Sequence, residues 1–256
     1  MTRISTIPTV YADDVKAVIE VSNLRGRFSS DGKFYWSLGG PIGADIAANF
    51  PHPLPFSFLI WLAGIPYIGD ILPEVVAPTA VSSIPGLQDT TNARFALKTR
   101  LAFVETFSAK AECVLYAIKL GWVGSTVHLP PAVAALVTTC SQDPSRLLAE
   151  GAAGWPLLIL SGALDWHLDG AAVVRKIASK FRNLESHVIE GASYMFFFSD
   201  DANGRSLLPL LHRTSQGHQP LSIVHKTNTD FRSVMTLSWV RPLFHNYTSQ
   251  DSSQAI

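Results

Sequence analysis

The segment that most limits the architecture is Phe56-Ser57-Phe58-Leu59-Ile60-Trp61-Leu62-Ala63, an apolar run closed off by Pro55 and Gly64. A strand with one face in water alternates apolar and polar residues, so an unbroken run of this kind reads as a strand buried on both faces. Such strands belong to parallel sheets, joined by helical crossovers. Trp155-Pro156-Leu157-Leu158-Ile159-Leu160-Ser161 has the same character, with a crossover helix over 171–180 and a last strand over 184–190. Upstream, the apolar run Phe34-Tyr35-Trp36 stops at Ser37. A helix follows over 41–50, with Pro41 tolerated in its first turn and Ile42, Ile46 and Phe50 sharing a face. The pattern predicts an α/β fold with a mostly parallel sheet of about four strands and helices on both faces.

A helix over 9–23 begins with Thr9 as N-cap and Asp13 and Asp14 in its first turns, and Val15, Val18 and Ile19 share a side. The polar interval 23–34 is a poor lead-in to a buried strand. Residues 66–154 show helical periodicities and no convincing strand, and read as a helical lid inserted into the core. The expected organisation is a core of 1–65 and 155–214, a cap of 66–154 and an irregular tail of 215–256 rich in Ser, Thr, Gln, His and Asn.

Charge excludes some partners. The 20 basic residues are matched by 20 acidic ones, which offers nothing to nucleic acid or an anionic membrane. Cys113 and Cys140 have no metal or redox spacing, and the histidines have no metal-ligand spacing, so no metal is expected. Gly39-Gly40 lacks the further glycines and acid of a dinucleotide loop, so no cofactor is expected either. The first residues lack a signal-peptide core, and the apolar runs are too short to span a bilayer, which points to a soluble, cytoplasmic protein.

Three motifs stand in order, each after an expected strand. Trp36-Ser37-Leu38-Gly39-Gly40 is a serine on a strand-to-helix turn, where backbone N–H groups of the helix start can face the hydroxyl. Gly162-Ala163-Leu164-Asp165 ends the second apolar strand, and Gly191-Ala192-Ser193-Tyr194-Met195-Phe196 follows the last. Together they resemble the α/β-hydrolase family, whose nucleophile elbow, G-x-x-D acid turn and histidine segment come in this sequence. The resemblance covers roughly 11–214 and implies a partial α/β-hydrolase fold.

By position, the resemblance makes Ser37 the nucleophile, the Leu38 N–H an oxyanion donor and Asp165 the acid, and it puts Tyr194 where the family has its histidine. A phenol, with an ordinary pKa of about 10, does not relay a proton near neutrality as imidazole does. Tyr35 replaces the small residue before the elbow, and the strands and oxyanion loop that the family carries upstream have no match before Tyr11. The elbow strand would then be an unpaired edge, through which self-association is expected.

The implied ancestry is a serine hydrolase of small apolar ester or acyl substrates with impaired catalysis. The alternative is a non-catalytic binding or interaction module, or a truncated gene product. Trp36, Trp61, Tyr67 and Trp122 are candidate pocket residues, although core packing explains them equally well. His167 is the nearest substitute base, with a solvated loop position as its plainer reading. His187 reads as a structural histidine of the last strand.

Overall fold

The computed structural model describes residues 10–21, 33–52, 54–128, 130–132, 134–135 and 141–196. The tail expected over 215–256, with His218, His225 and His245, lies outside them.

Four strands form one parallel sheet in chain order: β1 (Lys33–Trp36), β2 (Leu59–Leu62), β3 (Leu157–Gly162) and β4 (Leu184–Ile189). In register, Tyr35 lies beside Trp61, Trp61 beside Ile159 and Ile159 beside Ser186. β2 and β3 are buried at every position, as their unbroken apolar runs require. Burial stops at β4, where Glu185, Ser186 and Val188 are exposed and only Ile189 is buried.

One face of the sheet carries the apolar cluster. Leu59, Trp61, Leu157 and Ile159 meet Ile46 of α2 (Gly40–Asn49), Leu147 of α7 (Ser145–Ala153) and Val173 and Ile177 of α8 (Gly170–Ile177). The opposite-facing residues Ile60, Leu62, Leu158 and Leu160 are equally buried. α1 (Val10–Val21) is tied to α2 by the buried carboxylate of Asp45, which accepts the Ala12 N–H at 2.8 Å and the Asn49 amide at 3.0 Å. Asp169 caps α8 by accepting the Ala172 N–H at 2.8 Å.

The insertion expected over 66–154 divides in two. Its ends belong to the core, because Ile71, Val75 at the end of α3 (Leu72–Val75) and Leu147 of α7 all lie in the cluster. Outside that cluster stand α4 (Pro78–Leu87), α5 (Ala93–Glu105) and α6 (Tyr116–His128), held together by Arg100. Its buried guanidinium donates to the Thr126 and Leu87 carbonyls at 3.2 and 3.3 Å. α6 has no buried residue, and Tyr116, Leu120 and Val127 are exposed along it. No described helix is long and apolar enough to cross a membrane.

Candidate active site

Ser37 stands at the C-terminal end of β1, where the chain turns through a single 3-10 turn, Ser37–Gly39, into α2. Its φ is +53°, a left-handed conformation that costs a non-glycine residue roughly 1 kcal/mol or more and persists only where the surroundings enforce it. Two features enforce it here. The Ser37 carbonyl accepts the Ile65 N–H at 3.0 Å, and Gly40 presses so closely on the 63–65 loop that a Cβ would overlap the Ile65 carbonyl. The second glycine of the elbow motif is therefore a contact requirement. The side chains of Tyr35, Trp36 and Leu38 lie outside the description.

Asp165 follows β3 and Tyr194 follows β4, so the three motif residues meet along the C-terminal edge of the sheet, with β2 between the first two. Gly162 makes this meeting possible: a Cβ there would overlap the carbonyls of Ala192 and Ser193, so only glycine lets the acid strand come this close to the Tyr194 segment. Tyr194 is 7% exposed, and its hydroxyl is hydrogen-bonded to the Ser37 side chain. Burial pushes the phenol well above its ordinary value, against the pull of that hydrogen bond and with the Asp165 charge adding to the rise. It remains a protonated hydroxyl.

The carboxyl of Asp165 is half used. Oδ1 accepts the backbone N–H groups of His167 at 2.7 Å and Leu168 at 3.0 Å, while Oδ2 is buried with no hydrogen-bond partner among the described residues. Burial raises the carboxyl from 3.8 to about 6 despite those two N–H groups. The reason for the orphan oxygen is stereochemical. Imidazole has two ring nitrogens and can face an acid and a serine at once, whereas a phenol has one polar atom, and here it is spent on Ser37.

His167 is 7% exposed rather than a solvated loop side chain. It stacks on Tyr194 with ring centroids 4.4 Å apart and meets Phe103 and Phe107 edge-on at 4.6 and 5.2 Å. Its Nε2 is 2.6 Å from Thr106 Oγ1 at the end of α5, and burial lowers its pKa to about 4. The Phe107 carbonyl accepts the Ser193 hydroxyl at 3.2 Å and the Met195 N–H at 3.1 Å, which joins the end of α5 to the Tyr194 segment. The sequence carries no signal for this joint, since a threonine and a phenylalanine at a helix end are commonplace.

The expected pocket residues separate. Trp61 is fully buried in the core, edge-on to Phe181 at 6.2 Å, so it packs rather than lines a pocket, and its indole N–H has no partner among the described residues. Tyr67 is hydrogen-bonded to Asp70. Trp122 of α6 lies 5.5 Å from Phe107 and so joins the aromatic group over His167. A groove of about 440 Å³ reaches Asp165, lined by apolar Val76, Leu168 and Val188 and by polar Glu74, Ser161 and Asp169, and none of Trp61, Tyr67, Trp122, Ser37, His167 and Tyr194 lines it. His187 sits on the half-exposed β4 with its Nε2 2.7 Å from Glu185, on the water side rather than in the core.

In fold, the molecule is similar to an esterase, RhEst1, from Rhodococcus sp. ECU1013: TM-score 0.68, 19% identity, 81% of this chain and 71% of that one. A bromoperoxidase from Bacillus anthracis gives 0.60 at 14% identity over 78% and 72% of the two chains. The N-acyl homoserine lactonase AidH, in a mutant form complexed with N-hexanoyl homoserine, gives 0.59 at 18% over 85% and 72%. The chain has the α/β-hydrolase fold. No family model and no curated protein matches it by sequence. An esterase, a peroxidase and a lactonase on one fold leave the reaction to be argued from the site.

Proposed function

We propose that this α/β-hydrolase-fold protein derives from serine hydrolases of small apolar esters or acyl compounds, and that in its present form Ser37 has no working base, so that it binds such molecules with little or no turnover. The observation that carries the reading is the hydrogen bond between Tyr194 and Ser37 beside an Asp165 Oδ2 that has no hydrogen-bond partner among the described residues. A phenol raised above its ordinary range cannot accept the serine proton, and a carboxylate without an intervening imidazole has nothing to orient. Loss of a triad member leaves only ~10³–10⁴-fold catalysis over water, from oxyanion stabilisation and binding. The strained serine turn supports an acyl-ligand ancestry, as do the esterase and lactonase of like fold.

The test is fluorophosphonate labelling and hydrolysis of short p-nitrophenyl esters, comparing the native chain with Ser37→Ala. The two should be indistinguishable within about twofold. Robust turnover by the native chain that Ser37→Ala abolishes would overturn the reading.

A further inference from the structure

α6 has thirteen residues with Lys119 as their one permanent charge, and no residue of it is buried. Three contacts set its inner side: Lys119 pairs with Glu105 at 3.1 Å, Trp122 lies 5.5 Å from Phe107, and the Thr126 carbonyl accepts from Arg100. The outer side carries no lysine, arginine or carboxylate. Tyr116, Leu120 and Val127 are 74%, 49% and 57% exposed and, spaced by four and seven, line up as one ridge. Beside the ridge Ala117, Gly121 and Ser125 recur at every fourth position, all exposed. Nothing lies within 4 Å of a carbon added at Gly121 or at nearby Gly124, so a shallow groove floored by helix backbone runs there. The Ser125 hydroxyl already donates to the Gly121 carbonyl at 3.0 Å, so covering it strands no donor.

A helix face this apolar is one that a partner covers. We infer that the outer face of α6 docks on α6 of a second copy of this chain, with Tyr116, Leu120 and Val127 of each copy set into the groove over Ala117, Gly121 and Ser125 of the other. A ridge of large side chains beside a groove of small ones is complementary to itself when two such helices lie parallel about a two-fold axis along them. Each ridge then faces the other's groove, whereas an antiparallel two-fold would set ridge against ridge. With no charge on the face, a second copy meets no repulsion and an anionic bilayer finds nothing to hold. The outer half of a helix about 20 Å long and 10–12 Å across, covered in two copies, removes on the order of 900 Å² from water, below the usual size of a lasting interface. The dimer is therefore weak and forms with rising concentration. The face points away from Phe107, so its role does not depend on the reading of Ser37.

The experiment is sedimentation of the full chain over about 5 to 500 μM, with flotation on neutral phosphatidylcholine vesicles beside it. The native mass should rise from one chain toward two with a midpoint on the order of 10–100 μM. Leu120→Glu should move that midpoint upward at least about tenfold, since it sets a charge in the apolar contact. Gly121→Leu should do the same by filling the groove, and because leucine favours the helix over glycine, its loss of pairing cannot be blamed on unfolding. Gly124→Cys, which stands near the proposed axis, should cross-link to its own copy under mild oxidation, mapped by mass spectrometry. A native chain that stays single at about 500 μM overturns the inference. So does association that both Leu120→Glu and Gly121→Leu leave unchanged, which would place the contact on another face. Flotation of a single native chain that Leu120→Glu abolishes would also overturn it, with lipid as the cover of α6.

Discussion

Asp165 and His167 sit two residues apart and titrate in opposite senses. The folded chain raises Asp165 from 3.8 to about 6, so it binds that proton more tightly than the unfolded chain does. This contribution is fully present below pH 3.8 and is lost as pH rises to about 6. His167 is lowered from 6.5 to about 4, so its contribution is present above pH 6.5 and is lost as pH falls to about 4. Each shift corresponds to about 3 kcal/mol, and because the windows overlap the two slopes largely cancel in the native chain. Single substitutions should uncover them. Urea unfolding of Asp165→Asn should show stability falling from about pH 6 to pH 4, and His167→Gln should show it rising over the same interval. Flat profiles in both variants would mean that neither group is buried as described.

Two of the motif glycines, Gly40 and Gly162, answer to a close approach between elements. Gly40 lets α2 press on the loop after β2, and Gly162 lets the end of β3 pass under the segment that carries Tyr194. Gly40→Ala and Gly162→Ala should each lower the unfolding free energy by about 1–3 kcal/mol, read from denaturant midpoints, because the obstacle in both cases is backbone and cannot rotate away. Gly121→Ala in α6, where nothing lies within 4 Å of the added carbon, should be neutral or stabilising. The helical cover depends on a different device. Arg100→Ala leaves the Leu87 and Thr126 carbonyls without their donor, at a cost of about 1–3 kcal/mol, and Arg100→Lys cannot supply the two-pronged donor. Hydrogen exchange should quicken in α4–α6 of Arg100→Ala while β2 and β3 keep their protection; uniform quickening would mean that cover and sheet open together.

For the molecule as a whole, the parallel sheet was legible in the sequence because each buried strand is a short apolar run fenced by proline or glycine, as Pro55 and Gly64 fence β2. The meeting of Ser37, Asp165 and Tyr194 was legible through motif order. Less could be read where tertiary placement overrides local pattern. Leu147 and Val75 fall in helical stretches with the same periodicity as α5, yet they belong to the core. The burial of His167 depends on Thr106 and Phe107, distant in sequence, folding over it. The strand order has a kinetic consequence. About 90 residues separate β2 from β3, against about 20 between the other neighbouring strands, so closing the central seam costs about 1 kcal/mol more in chain entropy. The β1–α2–β2 and β3–α8–β4 halves should therefore form first and join last, at the contact between α2 and α7. In stopped-flow refolding, Val173→Ala within one half should slow folding, whereas Leu147→Ala at the seam should mainly hasten unfolding. Equal retardation by both would mean that the seam closes before the rate-limiting step, with the long insertion already gathered in.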